Sequence, residues 1–252
     1  MLTRRNIKYK SSRIVRIIVK FNNTNISRGT GFFISAQGLL LTCAHVILGK
    51  EFTYVQQDKE FIDAQGTNNI EKVENYQKLL TNNIQIQLED GTLKEVLLKK
   101  INPDYDIASL QVVGDDFSCL YFNIETRNEP YLGEEVSFYG FPDVLGHTPT
   151  NSPFVVNTSI ISTFPNATIA GSEYRHMQIN ATTIGGISGA PIFKGNSNTV
   201  LGLINGNFNW DFPNIVSCNQ GKESLLSRKV ISAIGYATSM KLLNDNTAIF
   251  SN

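Results

Sequence analysis

At 252 residues, with 41% hydrophobic and 17% charged residues, the chain has the apolar material for a packed core, which excludes intrinsic disorder. Its 22 basic and 22 acidic residues cancel, so net charge points to neither a nucleic-acid nor a membrane partner. Three cysteines, Cys43, Cys119 and Cys218, do not make a paired disulfide framework; they fit a reducing, cytoplasmic compartment. No apolar run approaches the ~18 residues of a membrane span. No Cys/His cluster has metal-ligand spacing, so neither metal nor cofactor is expected.

Residues 1–12 are polar and basic and read as a loose lead-in. Residues 1–50 hold nine Lys/Arg and no Asp/Glu. That asymmetry reads as a first strand with cationic flanks over 13–21. A secretory signal is not expected, because Arg16 interrupts the short apolar stretch 14–19; an Arg-rich transit peptide stays open. After a turn cluster at 22–25, stretches 29–35 and 38–43 read as a hairpin, and 44–48 as a short helical turn carrying His45. Residues 50–83 lack a clean period except over 71–80, where Val73, Tyr76, Leu79 and Leu80 fall at helical intervals. The segment reads as an insertion bearing one helix beside His45. Residues 84–88 alternate, Glu89-Asp90-Gly91 turns, and 93–101 returns, which is a hairpin. Residues 107–113 form the next strand and 114–130 a polar connection.

The second half opens with 132–142, then a loop over 143–153 and β-rich residues 153–164. Residues 177–183 lead into Gly185-Gly186-Ile187-Ser188-Gly189-Ala190-Pro191. A serine between glycines suits a nucleophile on a tight turn, with backbone N–H groups beside it for an oxyanion. Alone, such a cluster is a turn like any other. Strands over 200–206 and 234–239 follow, then a short helix over 239–243.

Three stretches now stand in the order His, Asp, Ser: Thr42-Cys43-Ala44-His45-Val46, Asp104-Tyr105-Asp106-Ile107-Ala108 and Gly186-Ile187-Ser188-Gly189-Ala190-Pro191. That order separates them from the subtilisin and α/β-hydrolase arrangements. With Gly29-Thr30-Gly31-Phe32-Phe33 and Tyr139-Gly140-Phe141-Pro142, they resemble the trypsin-like, chymotrypsin-fold serine peptidases, closest to the HtrA/DegP-type branch, over roughly residues 13–243. The resemblance implies an all-β fold. Two packed antiparallel six-stranded β-barrels would form a single peptidase domain with a short C-terminal helix and the helical insertion. The N-terminal barrel would span about 13–115, with the insertion at 50–83, and the C-terminal barrel about 130–243. No PDZ domain of the kind many HtrA proteins carry is expected.

The resemblance also implies roles. Ser188 would be the nucleophile, His45 the base and Asp106 its orienting acid. Gly186 and Ser188 would donate the oxyanion N–H groups. Thr182, six residues before Ser188, would floor a neutral specificity pocket walled by Asn205, Gly206 and Tyr236. Ile187 departs from digestive trypsins, whose aspartate at that place binds the new N-terminus. The expected activity is a serine endopeptidase acting on a protein or peptide substrate, with a regulatory protein partner or loop rearrangement controlling it. Two other readings fit parts of the pattern: a silent binding module on a protease fold, and an esterase or other acyl hydrolase.

Overall fold

The computed structural model describes residues 4–21, 24–48, 84–102, 105–114, 117–126, 130–142, 153–169, 172–211, 215–219, 222–226 and 229–241. Helix α1 (Arg4–Ser11) precedes strands β1 (Ile14–Phe21), β2 (Thr24–Phe33) and β3 (Leu39–Thr42), and helix α2 (Ala44–Leu48) follows them. Strands β4 (Ile84–Gln87), β5 (Leu93–Asn102) and β6 (Ile107–Val112) complete a closed six-stranded antiparallel barrel in the order β1-β2-β3-β6-β5-β4. Period-two patterning explains the pairing. Ile84 and Ile86 of β4 point inward while Gln85 and Gln87 stay half-exposed.

A two-residue strand β7 (Asn123–Ile124) leads to β8 (Glu135–Gly140), β9 (Phe154–Ile169), β10 (Ser172–Ile179), β11 (Pro191–Lys194), β12 (Thr199–Asp211), β13 (Ile215–Asn219), β14 (Lys222–Leu226) and β15 (Lys229–Ser239). The order β11-β8-β9-β10-β15-β12 closes on itself through the β11–β12 pairing, which makes the second six-stranded barrel. Strand β7 pairs parallel to β12, outside that ring, and β13 with β14 forms a separate ribbon. Closure removes the open sheet edges that would otherwise invite pairing with other chains. Among the described residues no helix is long and apolar enough to cross a membrane.

One apolar cluster runs from the first barrel into the second. Phe32, Leu40, Ile86 and Leu110 of the first barrel share it with Tyr139, Phe193 and Leu203 of the second. Phe122, in the connection expected to be merely polar, joins them. Its ring lies 6.5 Å from Phe32 and meets Phe193 edge-on at 4.8 Å. Aromatic pairs at this spacing add about 0.5–1.5 kcal/mol beyond burial.

The loose lead-in expected over 1–12 is instead helix α1, and the reason is tertiary. Lys10, Arg13 and Arg16 are 0%, 3% and 4% exposed, so these three early cations are buried. Each lies against aromatic rings: Lys10 Nζ is 4.0 Å from the Phe193 centroid, Arg13 Cζ 3.3 Å from Tyr9, and Arg16 Cζ 5.1 Å from Phe141. A polar sequence hides such docking, because Phe193 and Phe141 sit more than 100 residues from Lys10 and Arg16. The expected C-terminal helix also departs from the structure over its described part: Ser239 ends β15, and Met240 and Lys241 are a turn. The insertion at 50–83 and its helix lie outside the described residues.

Lys10 has no hydrogen-bond partner among the described residues, and burial lowers its amine from 10.5 to about 8. Desolvation therefore outweighs the attraction of the rings, which is worth about 0.5–2 kcal/mol. Between about pH 8 and 10.5 the unfolded chain holds the proton that the folded chain has released, so stability rises with pH there. Lys10→Met is expected to be more stable than wild type at pH 7, with the gap shrinking by pH 10. Urea midpoints at the two pH values check this. A constant gap would contradict it.

Candidate active site

His45 sits on α2 immediately after β3, and Asp106 follows an Asn102 side-chain turn in which Tyr105 N–H donates to Asn102 Oδ1 at 3.1 Å. Asp106 is the one non-glycine residue at positive φ among the described residues, at 52°. Aspartate tolerates that region better than most side chains. The turn aims both carboxylate oxygens at His45. The His45 backbone N–H donates to Oδ1 at 2.9 Å, and Nδ1 donates to Oδ2 at 2.8 Å. With Nδ1 holding the proton, Nε2 is left as the accepting nitrogen.

Asn205, expected in the pocket wall, has its side chain on Asp106. It is buried, donates from Nδ2 to Asp106 Oδ2 at 2.8 Å, and accepts from Thr238 Oγ1 at 2.9 Å. Its backbone carbonyl accepts from Ser188 Oγ at 3.0 Å. Ser188 thus reaches the His45–Asp106 pair through Asn205. Sequence reasoning missed the positioning role, because spacing does not show where an amide on β12 turns.

Gly186 lies at φ 87° and Gly189 at 85°, both in the left-handed region that glycine tolerates. A Cβ at Gly189 would stand 2.1 Å from the Thr30 carbonyl oxygen, so any side chain there would force the loop away from β2. Ile187 is buried with Val136, Phe138 and Ile192 in the second barrel's core. Where a trypsin would carry an anchoring acid, this loop carries an apolar plug.

Thr182 is exposed, while its neighbour Thr183 is buried. A Cβ at Gly235 would stand 2.8 Å from the Thr183 methyl, so Gly235 makes room for it. Tyr236 packs its ring along Gly206, and burial, with the nearby Asp106 charge second, pushes its hydroxyl up to about 12. A phenol at that value is neutral near pH 7.

Among the described residues one grouping has metal-ligand chemistry: Cys43, His45 and Asp106, with ligand atoms within 4.8 Å of one another. It fits a metal poorly. Cys43 donates to the Ile204 carbonyl at 3.1 Å, and burial, then Asp106, raises its thiol well above the usual range. A metal needs the thiolate. His45 Nδ1 and Asp106 are already bonded to each other.

Comparison with protein-family models matches residues 29–203, more than two thirds of the chain, to the trypsin-like peptidase domain. The chain belongs to the trypsin-like peptidase family. No curated protein matches it at a significant level. The two closed barrels accord with the chymotrypsin-like fold of a peptidase hydrolase. The matched span holds His45, Asp106 and Ser188 and ends within β12, so it takes in most of both barrels.

Proposed function

We propose that this peptidase domain is a catalytically competent serine endopeptidase of HtrA-like type that cleaves protein or peptide substrates. The observation that carries the reading is the Asp106 carboxylate, which holds His45 by two hydrogen bonds at 2.9 and 2.8 Å, with Asn205 linking Asp106 to Ser188. In the reaction, the Ser188 hydroxyl turns from the Asn205 carbonyl to His45 Nε2, gives up its proton and attacks the substrate carbonyl. The Gly186 and Ser188 N–H groups receive the oxyanion. His45 then passes the proton to the leaving amine. Thr182, Thr183, Gly206 and Tyr236 supply no negative charge to the pocket, so the residue before the scissile bond is uncharged and small to medium aliphatic. Burying an unpaired lysine or arginine there costs too much.

A fluorophosphonate probe tests the reading. Stoichiometric labelling that disappears in Ser188→Ala, with cleavage sites in a denatured proteome following neutral residues, is the expected result. An unlabelled wild-type protein would leave a silent binding module. Ester turnover without peptide cleavage would leave an acyl hydrolase.

Control by a partner belongs to the same proposal, which places the enzyme in a reducing, cytoplasmic setting without nucleic acid or membrane. Gly185 has no heavy atom within 4 Å of where a Cβ would stand and is not among the positive-φ glycines. Alanine therefore fits the described loop while narrowing its alternatives. Gly185→Ala is expected to raise basal turnover of a short peptide about two- to fivefold, the worth of the removed chain entropy. A partner can replace that effect only by binding the two loop states unequally. Unchanged turnover would remove the support for loop control.

A further inference from the structure

We propose that the Thr30 hydroxyl is the positioning group that holds the oxyanion loop in its competent orientation, in the place of an acid-based anchor. The inference rests on the serine-peptidase reading. Thr30 lies on β2 in the first barrel and is 0% exposed. Its Oγ1 donates to the Gly186 carbonyl at 2.8 Å and accepts from the Phe141 N–H at 2.9 Å. Its own N–H donates to the Ser188 carbonyl at 2.8 Å, and its carbonyl accepts from Thr42 Oγ1 at 2.8 Å. One residue therefore grips the carbonyls on both sides of Ile187.

The peptide between Gly186 and Ile187 is held at both ends, because the Ile187 N–H donates to the Ile184 carbonyl at 3.2 Å while Thr30 takes the Gly186 oxygen. The candidate oxyanion donors, Gly186 N–H and Ser188 N–H, flank that pinned peptide. The Gly186 N–H cannot turn away while Gly186 keeps its φ of 87° and its carbonyl keeps its donor. The neighbouring backbone is shaped around the hydroxyl: a Cβ at Gly140 would stand 3.2 Å from Thr30 Oγ1. The Ile187 side chain fills the core but supplies no directional contact. The hydroxyl supplies it, and its loss would leave a buried carbonyl and a buried N–H without this partner.

The test uses the full chain and three variants. Thr30→Val keeps the shape and removes the hydroxyl, Thr30→Ser keeps the hydroxyl, and Thr30→Cys leaves a weak donor. Two readouts are taken: kcat and KM on a short peptide, and the pKa of the hemiketal oxyanion that a peptidyl trifluoromethyl ketone forms on Ser188, followed by fluorine NMR. Losing a direct oxyanion donor costs about 10²- to 10³-fold in kcat. Displacing the donors through Thr30→Val is expected to cost about 10- to 100-fold, with KM little changed. The hemiketal pKa should rise by about one to two units, the same factor read at equilibrium. Thr30→Ser should restore both values. If Thr30→Val does not fold, Thr30→Cys is expected to lie between serine and that loss; wild-type behaviour in it would overturn the proposal. So would a wild-type hemiketal pKa in folded Thr30→Val, or an equal rise in Thr30→Ser, which would make the methyl the responsible group. A wild-type chain that neither turns over peptide nor forms the adduct would fail the serine-peptidase reading itself, and this inference with it.

Discussion

Turnover by Ser188→Ala and by His45→Ala is expected to fall by about 10⁴-fold or more, and the double variant by little beyond either single one. The reason is that, in the proposed reaction, the two side chains perform one proton transfer. Without the hydroxyl, His45 has nothing to deprotonate; without the imidazole, a neutral alcohol must attack unaided. Residual catalysis would come from the oxyanion donors and substrate binding. Ser188→Ala removes one hydrogen bond, to the Asn205 carbonyl, so its stability should change by only about 1 kcal/mol. Single-turnover rates beside thermal melts check both halves. Near-wild-type turnover in either variant would refute the assignment.

Asp106→Asn should come next in size, with kcat reduced on the order of 10⁴-fold. Asparagine tolerates positive φ as well as aspartate does, so the backbone at 52° should survive the change. The damage is electrostatic and directional. Three donors converge on this carboxylate: the His45 N–H, His45 Nδ1 and Asn205 Nδ2. An amide offers one oxygen and one NH₂ group, so either orientation sets a donor against a donor. Turned with its NH₂ toward the ring, it also makes Nδ1 an acceptor and moves the imidazole proton to Nε2, where the base must be free. The imidazolium formed during attack would lack its counter-charge as well. Proton NMR of the His45 ring should show the changed tautomer, and a kcat within tenfold of wild type would contradict the role given to Asp106.

Much of the fold and of the candidate site was legible in the chain itself. Period-two runs such as Ile84-Gln85-Ile86-Gln87 identify strands locally, since alternation is a property of neighbouring residues. His45, Asp106 and Ser188 stand in short motifs whose order carries chemical meaning whatever the folded details. Ile187 likewise excludes an acid anchor by its identity alone. Other features depend on groups distant in sequence, and only the tertiary structure decided them. Helix α1 reads as a polar leader until Lys10 meets Phe193, 183 residues later. The contact of the Asn205 amide with Asp106 is not visible from spacing, and Thr30 reads as one residue of a strand until its hydroxyl is found on Gly186. A hydrogen bond is short and directional, whereas sequence spacing constrains direction only within one element. Closing two barrels against each other is what brought these donors and acceptors within about 3 Å.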